Sequence, residues 1–220
     1  MIKLVVFDND GTIYDNRGVG DVGNILGLKK TYESMGITDP LPSNDDMIRQ
    51  MGKKHKDMFR EIVKRPDFEK IYPVINKFTI EEVMKLIKQK KGKIYPGVKE
   101  TIRKLRLLGI KTSVATNGRQ QYINTISQTH GYDDLFDMVM GSDQINGDKG
   151  DLLIHQMKIL NVLPEETLMV GDRISDIEAA RKAGSKSAAA LWGYGNEAEH
   201  KNATFKLNRI EDLLAIVTTL

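Results

Sequence analysis

The sequence predicts an α/β protein: a doubly wound parallel sheet into which a small α-helical domain is inserted. Short apolar runs rich in β-branched residues alternate with amphipathic helical patterns, and this alternation is typical of parallel strands joined by helical crossovers. One long segment after the first apolar run breaks the alternation, because it contains helical patterns and no convincing strand. These two observations together predict the fold class.

Five apolar runs are predicted to form the sheet. The first, Ile2–Phe7 (IKLVVF), is almost continuously apolar, as expected for a strand that is buried on both faces. The later runs have the same character: Lys111–Thr116, Asp137–Gly141, Thr167–Gly171 and Ser187–Leu191. The predicted helices of this core are Gly97–Leu108, Lys149–Leu160, Asp176–Ala183 and Arg209–Thr218. Helical crossovers bring the carboxyl ends of all these strands to one edge of the sheet.

Residues 16–92 are predicted to form the inserted helical domain. The helical patterns in it are Gly23–Met35, Asp45–Met51, Lys54–Lys64 and Ile80–Lys90. Thr79, with Glu82 three residues later, predicts a capping box for the last of these helices. Pro73 is expected to end a short helix before it or to lie in the first turn of a helix.

Net charge separates the two predicted domains. The inserted segment carries 16 basic and 11 acidic residues, a net charge of +5. The core, residues 1–15 and 93–220, carries 17 and 19, a net charge of −2. Solvated, lysine-rich helix surfaces would explain this difference, and so would a basic lid over an anion-binding site.

Composition excludes several classes of protein. With no cysteine among its 220 residues, the chain can form no disulfide, thiolate metal site or thiol nucleophile. The total charge of +3 is small for a nucleic-acid-binding protein, and no apolar run approaches the ~18 residues of a transmembrane helix. The first apolar run is also too short for a signal peptide. We therefore expect a soluble, cytoplasmic protein with no nucleic-acid or membrane partner.

Two carboxylates follow the first predicted strand, separated by one residue. Asp8 and Asp10 lie in the segment Phe7–Thr12 (FDNDGT), where Gly11 permits a turn that lets both side chains converge. Ligands of open α/β sheets bind at the carboxyl ends of the strands, so chemistry is expected here. A solvent-exposed aspartate turn is the alternative for so short a motif.

Three more motifs are predicted at the same edge of the sheet. Thr116 and Asn117 stand at the end of the second strand and offer a hydroxyl and an amide to phosphate oxygens. Lys149 begins a predicted helix and supplies a positive charge, and Asp172 and Asp176 follow the fourth strand. Each motif alone has an ordinary structural explanation. Their convergence on one edge, together with the first acid pair, predicts a single functional site.

With these motifs the sequence resembles the haloacid dehalogenase superfamily, in the subgroup whose helical cap is inserted after the first strand. The matching positions span nearly the whole chain: Asp8–Thr12 (DNDGT), Thr116, Lys149 and Gly171–Asp176 (GDRISD). The resemblance implies a Rossmann-like core and a helical cap domain. It also implies an enzyme that acts, as a monomer or a homodimer, on a small phosphorylated substrate.

Catalytic roles for five residues are implied by the same resemblance. Asp8 would attack phosphorus and form an aspartyl-phosphate, and Asp10 would protonate the leaving oxygen and then accept a proton from the attacking water. Thr116 and the backbone at Asn117 would bind phosphoryl oxygens. Lys149 would also bind the phosphate and would neutralise charge that develops during transfer.

Mg²⁺ is the cofactor that the resemblance implies. Asp8, the main-chain carbonyl of Asp10 and Asp172 would hold the ion, and Asp176 would either ligate it or support the site from behind. Four carboxylates beside a phosphate repel one another. The positive charges of Mg²⁺ and Lys149 would make that arrangement tolerable.

Two residues of the first motif narrow the predicted reaction. Asp10 favours phosphoryl transfer over dehalogenation, because the departure of a halide needs no proton donor. Thr12 is similar to the residue found in phosphatases, whereas β-phosphoglucomutases more often have valine there. We therefore predict a Mg²⁺-dependent phosphatase that resembles phosphoglycolate phosphatases. A pyrophosphatase, a sugar-phosphate phosphatase and a β-phosphoglucomutase-like phosphotransferase stay open as alternatives.

The predicted cap holds the candidate specificity residues. Asp46–Gly52 (DMIRQMG) resembles a pattern of phosphoglycolate phosphatase-like proteins, and Gly52, Lys53 and Lys54 are the predicted specificity loop. A lysine there would suit a carboxylate substrate such as phosphoglycolate, although solvated lysines at a helix end explain the same residues. The composition of the cap also allows a lysine that forms a Schiff base, as in phosphonate hydrolases, but the cap sequence does not resemble theirs.

Signalling and binding proteins are the alternatives of another class. Phospho-acceptor receiver domains also phosphorylate an aspartate at a strand end, but they are shorter and have no helical insertion after the first strand. A non-catalytic binding module would have no use for Asp10, whose main task is to move a proton. An enzyme is therefore the better prediction.

Overall fold

The computed structural model describes residues 1–219. They fold as two compact units: Met1–Asp15 with the chain from Ile94 onward forms the first, and Asn16–Lys93 forms the second. Within the described residues no helix is both long and apolar enough to cross a membrane.

The first unit is built on a six-stranded parallel sheet. The strands of the described chain are β1 (Leu4–Phe7), β2 (Tyr14–Asp15), β3 (Lys93–Ile94), β4 (Lys111–Ala115), β5 (Met138–Met140), β6 (Thr167–Gly171), β7 (Lys186–Ala190) and β8 (Phe205–Leu207). The sheet has the order β5-β4-β1-β6-β7-β8, and all its neighbouring strands are parallel. β2 and β3 pair separately. The parallel, doubly wound core predicted from the sequence is therefore confirmed.

Helices connect the strands and fill the second unit. Four of them belong to the second unit: α1 (Gly20–Met35), α2 (Asn44–Gln50), α3 (His55–Val63) and α4 (Phe68–Lys88). The others join or follow the strands of the sheet: α5 (Val98–Leu107), α6 (Gln120–His130), α7 (Lys149–Leu160), α8 (Ile174–Ala183) and α9 (Asp212–Thr219). The bounds of α7 agree with the prediction, whereas α6 is too polar in sequence to have been predicted.

The register of the sheet brings several loops together. β1 lies in the middle, between β4 and β6, and Phe7 is aligned with Val114 on one side and Val170 on the other. The residues that follow these three strands therefore leave the sheet side by side. Asp8 and Asp172 emerge at this edge.

The sheet has one strand more than the sequence predicts. β8 contains only Phe205, Lys206 and Leu207, and it pairs with β7 at the edge of the sheet. Leu207 is buried and Lys206 is exposed. Three residues with one buried side chain give too weak a pattern for a strand to be predicted from sequence.

The second unit contains one long helix where the sequence predicts a break. α4 runs without interruption through Pro73 and Thr79, so the predicted capping box of Thr79 with Glu82 is wrong. The Thr79 hydroxyl instead donates to the carbonyl of Ile75, 2.6 Å away, inside the helix. Contrary to the prediction, Pro73 neither ends a helix nor lies in a first turn, because it is the sixth residue of α4. There it removes the bond that an N–H would make to Glu69, and its ring crowds the carbonyl of that residue. The buried residues that recur every fourth position hold the helix together: Ile71, Ile75, Thr79, Val83 and Ile87.

Candidate active site

Asp8 lies at the point where β1 ends. Its backbone N–H donates to the carbonyl of Val170 (2.8 Å), which keeps the end of β1 attached to β6. Its side chain is buried, and Oδ1 accepts a 2.7 Å hydrogen bond from the N–H of Asn9. The chain then turns at Gly11 (φ 82°), where a Cβ would lie only 2.3 Å from Asp172 Oδ2. Glycine is therefore required both for the turn and for the close approach of the two loops.

Lys149 connects two carboxylates at this edge of the sheet. It is the first residue of α7, whose start is fixed by a capping box between Asp148 and Asp151. Its Nζ lies 2.6 Å from Asp176 Oδ1 and 3.0 Å from Asp8 Oδ2, and all three side chains are at most 3% exposed. The lysine therefore holds the loop after β1 and the start of α8 in fixed positions.

Asp172 is held by three neighbours. The Thr12 hydroxyl donates to Oδ1 at 3.2 Å, and the backbone N–H of Tyr194 donates to Oδ2 at 2.7 Å. The main-chain carbonyl of Asp172 lies 2.6 Å from Nε2 of the buried His200. Because a carbonyl only accepts hydrogen bonds, Nε2 of His200 carries a proton. A Cβ on Gly195 would lie 1.8 Å from the same carbonyl, so the surrounding loop requires glycine there.

Asp176 is shared between a helix cap and the lysine. It is the third residue of α8, and its Oδ2 accepts a 2.9 Å hydrogen bond from the backbone N–H of Arg173. Its Oδ1 accepts the bond from Lys149. A Cβ on Gly171 would lie 2.1 Å from Asp176 Cγ, so the end of β6 also requires glycine. The cap therefore fixes the carboxylate that orients Lys149.

Burial and mutual repulsion raise the pKa values of three carboxyl groups. Burial, with the charges of Asp176 and Asp8, raises the pKa of Asp172 to about 8. Burial raises the pKa of Asp8 to about 6 against the lowering effect of Lys149, and burial with the Asp8 charge raises the pKa of Asp10 to about 7. Burial alone would lower the pKa of Lys149, but the charges of Asp176 and Asp8 outweigh it and raise that pKa above its ordinary value. Lys149 therefore stays charged.

Asp8, Asp172 and Asp176 form a group that fits a divalent cation. One carboxylate oxygen of each lies within 4.8 Å of those of the other two, and all three residues are buried. Hard oxygen donors of this kind match Mg²⁺ and similar ions. Burial and then the charges of neighbouring aspartates raise the pKa values of Asp8 and Asp172, and a cation would offset both effects. Over residues 1–219 the Asp10 carboxyl is not part of this group, and a contribution from its main-chain carbonyl stays a prediction.

Asp10 is half-buried and accepts two side-chain hydrogen bonds. The Tyr122 hydroxyl donates to Oδ1 at 2.8 Å, and Nδ2 of Asn9 donates to the same oxygen at 3.1 Å. On the other side of Asn9, the hydroxyl of the buried Tyr132 donates to Asn9 Oδ1 at 2.7 Å. Tyr132, Asn9, Asp10 and Tyr122 thus form a continuous line of hydrogen bonds.

Thr116 and Asn117 begin the loop after β4. Thr116 is buried, and its Oγ1 accepts a 3.1 Å hydrogen bond from the N–H of Gly118. The carbonyls of Asn117 and Gly118 accept bonds of 2.8 Å from the hydroxyl and the N–H of Ser142. The loop is therefore anchored to the segment after β5. Its binding of phosphate stays a prediction.

The predicted specificity residues lie in the second unit. Gly52 has a φ of 90°, a conformation that favours glycine. Lys53 forms an exposed ion pair with Glu61 (2.6 Å), and Lys54 immediately precedes α3. The ion pair agrees with the solvated-lysine explanation for Lys53. A role for these residues in specificity stays a prediction.

Sequence reasoning missed several neighbours of the site. Tyr122, Tyr132 and His200 lie 112, 123 and 28 residues from the groups that they contact, and no fixed spacing announces such contacts. The segment 193–195 (GYG) does carry a local signal, because two glycines on either side of an aromatic residue indicate a tight loop. Its backbone contact with Asp172 still requires the fold to be known.

Comparison with known proteins relates the whole chain to phosphatases. It is 29% identical to the phosphoglycolate phosphatase of Aquifex aeolicus over 219 residues, which covers 98% of this chain and 97% of that protein. It is 28% identical to pyrophosphatase PpaX of Bacillus cereus (strain B4264), with coverage of 100% and 98%. The solved structure of a predicted phosphatase from Clostridium acetobutylicum has the same fold, with a TM-score of 0.84 at 22% identity and full coverage of both chains.

A family profile decides the assignment. The profile of haloacid dehalogenase-like hydrolases matches residues 5–190, which is most of the chain. The matched range contains the residues of the predicted site: Asp8, Asp10, Thr116, Asn117, Lys149, Asp172 and Asp176. The chain therefore belongs to the haloacid dehalogenase-like hydrolase family.

Proposed function

We propose that the protein is a Mg²⁺-dependent phosphatase that hydrolyses a small phosphate monoester through an aspartyl-phosphate intermediate. The observation that supports this proposal most is the buried contact of Lys149 with both Asp8 and Asp176, beside Asp172. The proposed nucleophile, the lysine proposed to bind phosphate and the candidate metal ligands lie together there. Membership of a hydrolase family supports the class of reaction.

Asp8 acts as the nucleophile. One of its carboxylate oxygens forms a bond to phosphorus while the bond between phosphorus and the leaving oxygen breaks. Lys149 lies 3.0 Å from Oδ2, and the N–H of Asn9 lies 2.7 Å from Oδ1. Both oxygens are therefore oriented before a substrate binds, which lowers the entropic part of the barrier.

Asp10 moves the proton in both half-reactions. The leaving oxygen takes the proton of Asp10 as its bond to phosphorus breaks. In the second half-reaction a water molecule attacks phosphorus and gives a proton back to Asp10, while the bond between Asp8 and phosphorus breaks and phosphate is released. A pKa of about 7 suits a group that must both donate and accept a proton near neutral pH.

The residues that would hold Mg²⁺ are Asp8, Asp172 and the main-chain carbonyl of Asp10, with Asp176 in direct contact or as support. A bound Mg²⁺ supplies electrostatic stabilisation of the phosphoryl group. Three buried carboxylates within 4.8 Å of one another support a cation at this position.

Thr116, the backbone at Asn117 and Lys149 bind the phosphoryl oxygens. Lys149 also offsets the negative charge that develops during transfer. Residues 16–92 act as the cap domain, and Gly52, Lys53 and Lys54 contribute to substrate choice. The net charge of +5 on this segment supports an anionic substrate.

Phosphoglycolate is the substrate that we propose first. A relative that is 29% identical over almost the whole chain is a phosphoglycolate phosphatase, and a lysine in the cap would suit the carboxylate. Pyrophosphate is the second candidate, because the Bacillus cereus relative at 28% identity is a pyrophosphatase. We further propose that the enzyme works in the cytoplasm as a monomer or a homodimer, without nucleic-acid or membrane partners.

Purified protein with and without Mg²⁺ should be assayed for phosphate release from phosphoglycolate, pyrophosphate, sugar phosphates and nucleotides. We expect Mg²⁺-dependent turnover that is fastest with phosphoglycolate. Faster turnover of pyrophosphate would favour the second candidate. Absence of phosphate release from all four classes in the presence of Mg²⁺ would reject the proposal.

A further inference from the structure

We propose that Tyr122 and Asn9 are positioning residues that fix the orientation of the Asp10 carboxyl group, so that Oδ2 is the oxygen that exchanges its proton with the substrate. The inference rests on the proposed function, because it takes Asp10 as the group that moves the proton. It goes further by assigning the neighbours that orient this group and the oxygen that carries the proton.

Both hydrogen bonds to the carboxyl group fall on the same oxygen. The Tyr122 hydroxyl and Nδ2 of Asn9 donate to Oδ1 at 2.8 and 3.1 Å, and over residues 1–219 they are the two side-chain donors to Asp10. Oδ1 therefore already accepts two hydrogen bonds, from groups on two different segments of the chain. Oδ2 is the oxygen left to exchange a proton with the substrate.

Tyr132 fixes the direction in which Asn9 donates. Its hydroxyl donates to Oδ1 of Asn9 at 2.7 Å, so the amide NH₂ faces Asp10. While Asp10 is ionised, a flipped amide would set its oxygen against a carboxylate that cannot donate, so the bond between Asn9 and Asp10 would be lost. Asn9 and Tyr132 are both buried, and a buried amide is stable only when its hydrogen bonds are satisfied. The orientation of Asn9 is therefore well determined.

The ring of Tyr122 is held by the loop after β4. Tyr122 lies in α6, and a Cβ placed on Gly118 would lie 2.7 Å from its Cδ1. The absence of a side chain at Gly118 thus leaves the space that the ring occupies. Tyr122 consequently links the predicted phosphate loop to Asp10. Phenylalanine at position 122 would keep the ring packing and lose only the hydroxyl.

The test is the dependence of kcat/KM on the leaving group in the variant Tyr122→Phe. Alkyl phosphates need a proton on the leaving oxygen, whereas 4-nitrophenyl phosphate has a good leaving group and needs little acid assistance. Misorientation of a general acid should cost about 10-fold in kcat/KM for alkyl phosphates and less than about 2-fold for 4-nitrophenyl phosphate. We expect Tyr132→Phe to act in the same direction with a smaller loss, because it touches Asp10 only through Asn9.

The matched control is Tyr32→Phe. It removes a tyrosine hydroxyl from the second compact unit and should leave both values of kcat/KM unchanged. Asp10→Asn, assayed with the same series, separates the two proposals. If the loss of kcat/KM depends strongly on the leaving group in Asp10→Asn but not in Tyr122→Phe, the positioning inference is wrong and the acid–base role of Asp10 stands. Equal losses on all esters in Asp10→Asn overturn the acid–base role itself, and this inference with it.

A crystal structure of Tyr122→Phe tests the inference without turnover. We expect the Asp10 carboxyl group to rotate or to occupy more than one orientation, while Asn9 and Tyr132 keep their bond. A carboxyl group that stays in its original orientation after loss of the Tyr122 hydroxyl contradicts the inference, whatever the kinetics.

Discussion

A buried lysine is unfavourable unless carboxylates compensate for its lost hydration, and Lys149 has two of them within 3.0 Å. One of these carboxylates, Asp176, is held by its hydrogen bond in the helix cap. In the proposed chemistry it only ligates the metal ion or supports the metal site. The other, Asp8, is the proposed nucleophile. Because Lys149 also contacts Asp176, it keeps one carboxylate partner while Asp8 changes its bonding during the reaction.

This division of tasks predicts the behaviour of Asp8→Asn. We expect phosphatase activity to fall on the order of 10⁴-fold or more, because the nucleophile is lost. The fold should persist, since Lys149 keeps Asp176 and the backbone at position 8 keeps its bond to Val170. Initial rates of phosphate release measure the first effect, and thermal unfolding checks the second. Residual turnover above a few per cent of wild type would disprove the nucleophile assignment.

The three clustered carboxylates predict a specific effect of Mg²⁺ on stability. The ion should offset the repulsion among Asp8, Asp172 and Asp176, and at 100 times its dissociation constant it should add about 2.7 kcal/mol to the free energy of unfolding. Asp172→Asn should abolish most of this gain. Thermal unfolding with and without Mg²⁺ measures it. The control Asp134→Asn changes an exposed carboxylate outside the cluster and should keep the full gain. An equal loss in both variants would argue against the site.

At the scale of elements, the contact of α1 with α4 depends on glycine. A Cβ on Gly27 would lie 2.4 Å from the Cα of Thr79, and one on Gly23 would lie 2.7 Å from the side chain of Val83. At these two positions the backbone of α1 therefore packs directly against α4, with no α1 side chain between the two helices. Ordinary helix propensity favours alanine over glycine at such positions, so only the close packing explains these glycines.

Gly27→Ala should destabilise the protein although alanine is the better helix former. The added methyl group must push two backbones apart, at a cost of about 1–3 kcal/mol in the free energy of unfolding. Urea denaturation measures the change. Lys29→Ala, on the exposed side of α1, should stay within about 0.5 kcal/mol of wild type. An unchanged or higher stability of Gly27→Ala would mean that the helices separate without penalty.

Elements were predictable from sequence where local pattern and tertiary packing agree. The bounds of β6 and α7 agree with prediction because the first is continuously apolar and the second starts at a strong cap. α4 shows the opposite case. Its capping signal at Thr79 is local, and the buried residues on a four-residue spacing outweigh it. β8 was missed because its pairing with β7, rather than its own composition, makes it a strand.

The convergence of several candidate site residues at one edge of the sheet was predictable from sequence as well. Topology alone predicts that Asp8 and Asp172 emerge together, since they follow neighbouring parallel strands. The contact of Lys149 with both carboxylates agrees with the charge compensation expected of the site. The partners of Asp10 could not be predicted, because Tyr122 reaches it from α6 across 112 residues of sequence. Such contacts depend on the exact path of a loop and helix, which composition and spacing do not record.

At the scale of the whole molecule, the proposed chemistry and the packing of α1 with α4 lie in different compact units. The carboxylate cluster and Lys149 belong entirely to the first unit, and Gly27 belongs to the second. Mg²⁺ with phosphate should therefore stabilise the first unit, and Gly27→Ala should weaken the second. Their effects reveal whether the units open separately or as one cooperative body.

Amide hydrogen exchange distinguishes these two cases. Mg²⁺ with inorganic phosphate should slow exchange in β1, β6 and α8, because its ligands and their backbone partners lie there, and should leave α1 and α4 unchanged. Gly27→Ala should speed up exchange in α1 and α4 and leave β6 unchanged. Because each perturbation is the control for the other, a uniform change in global stability cannot imitate the pattern. Equal protection of α4 and β6 by Mg²⁺ and phosphate would contradict separate opening, since the free energy of binding would then be shared by both units.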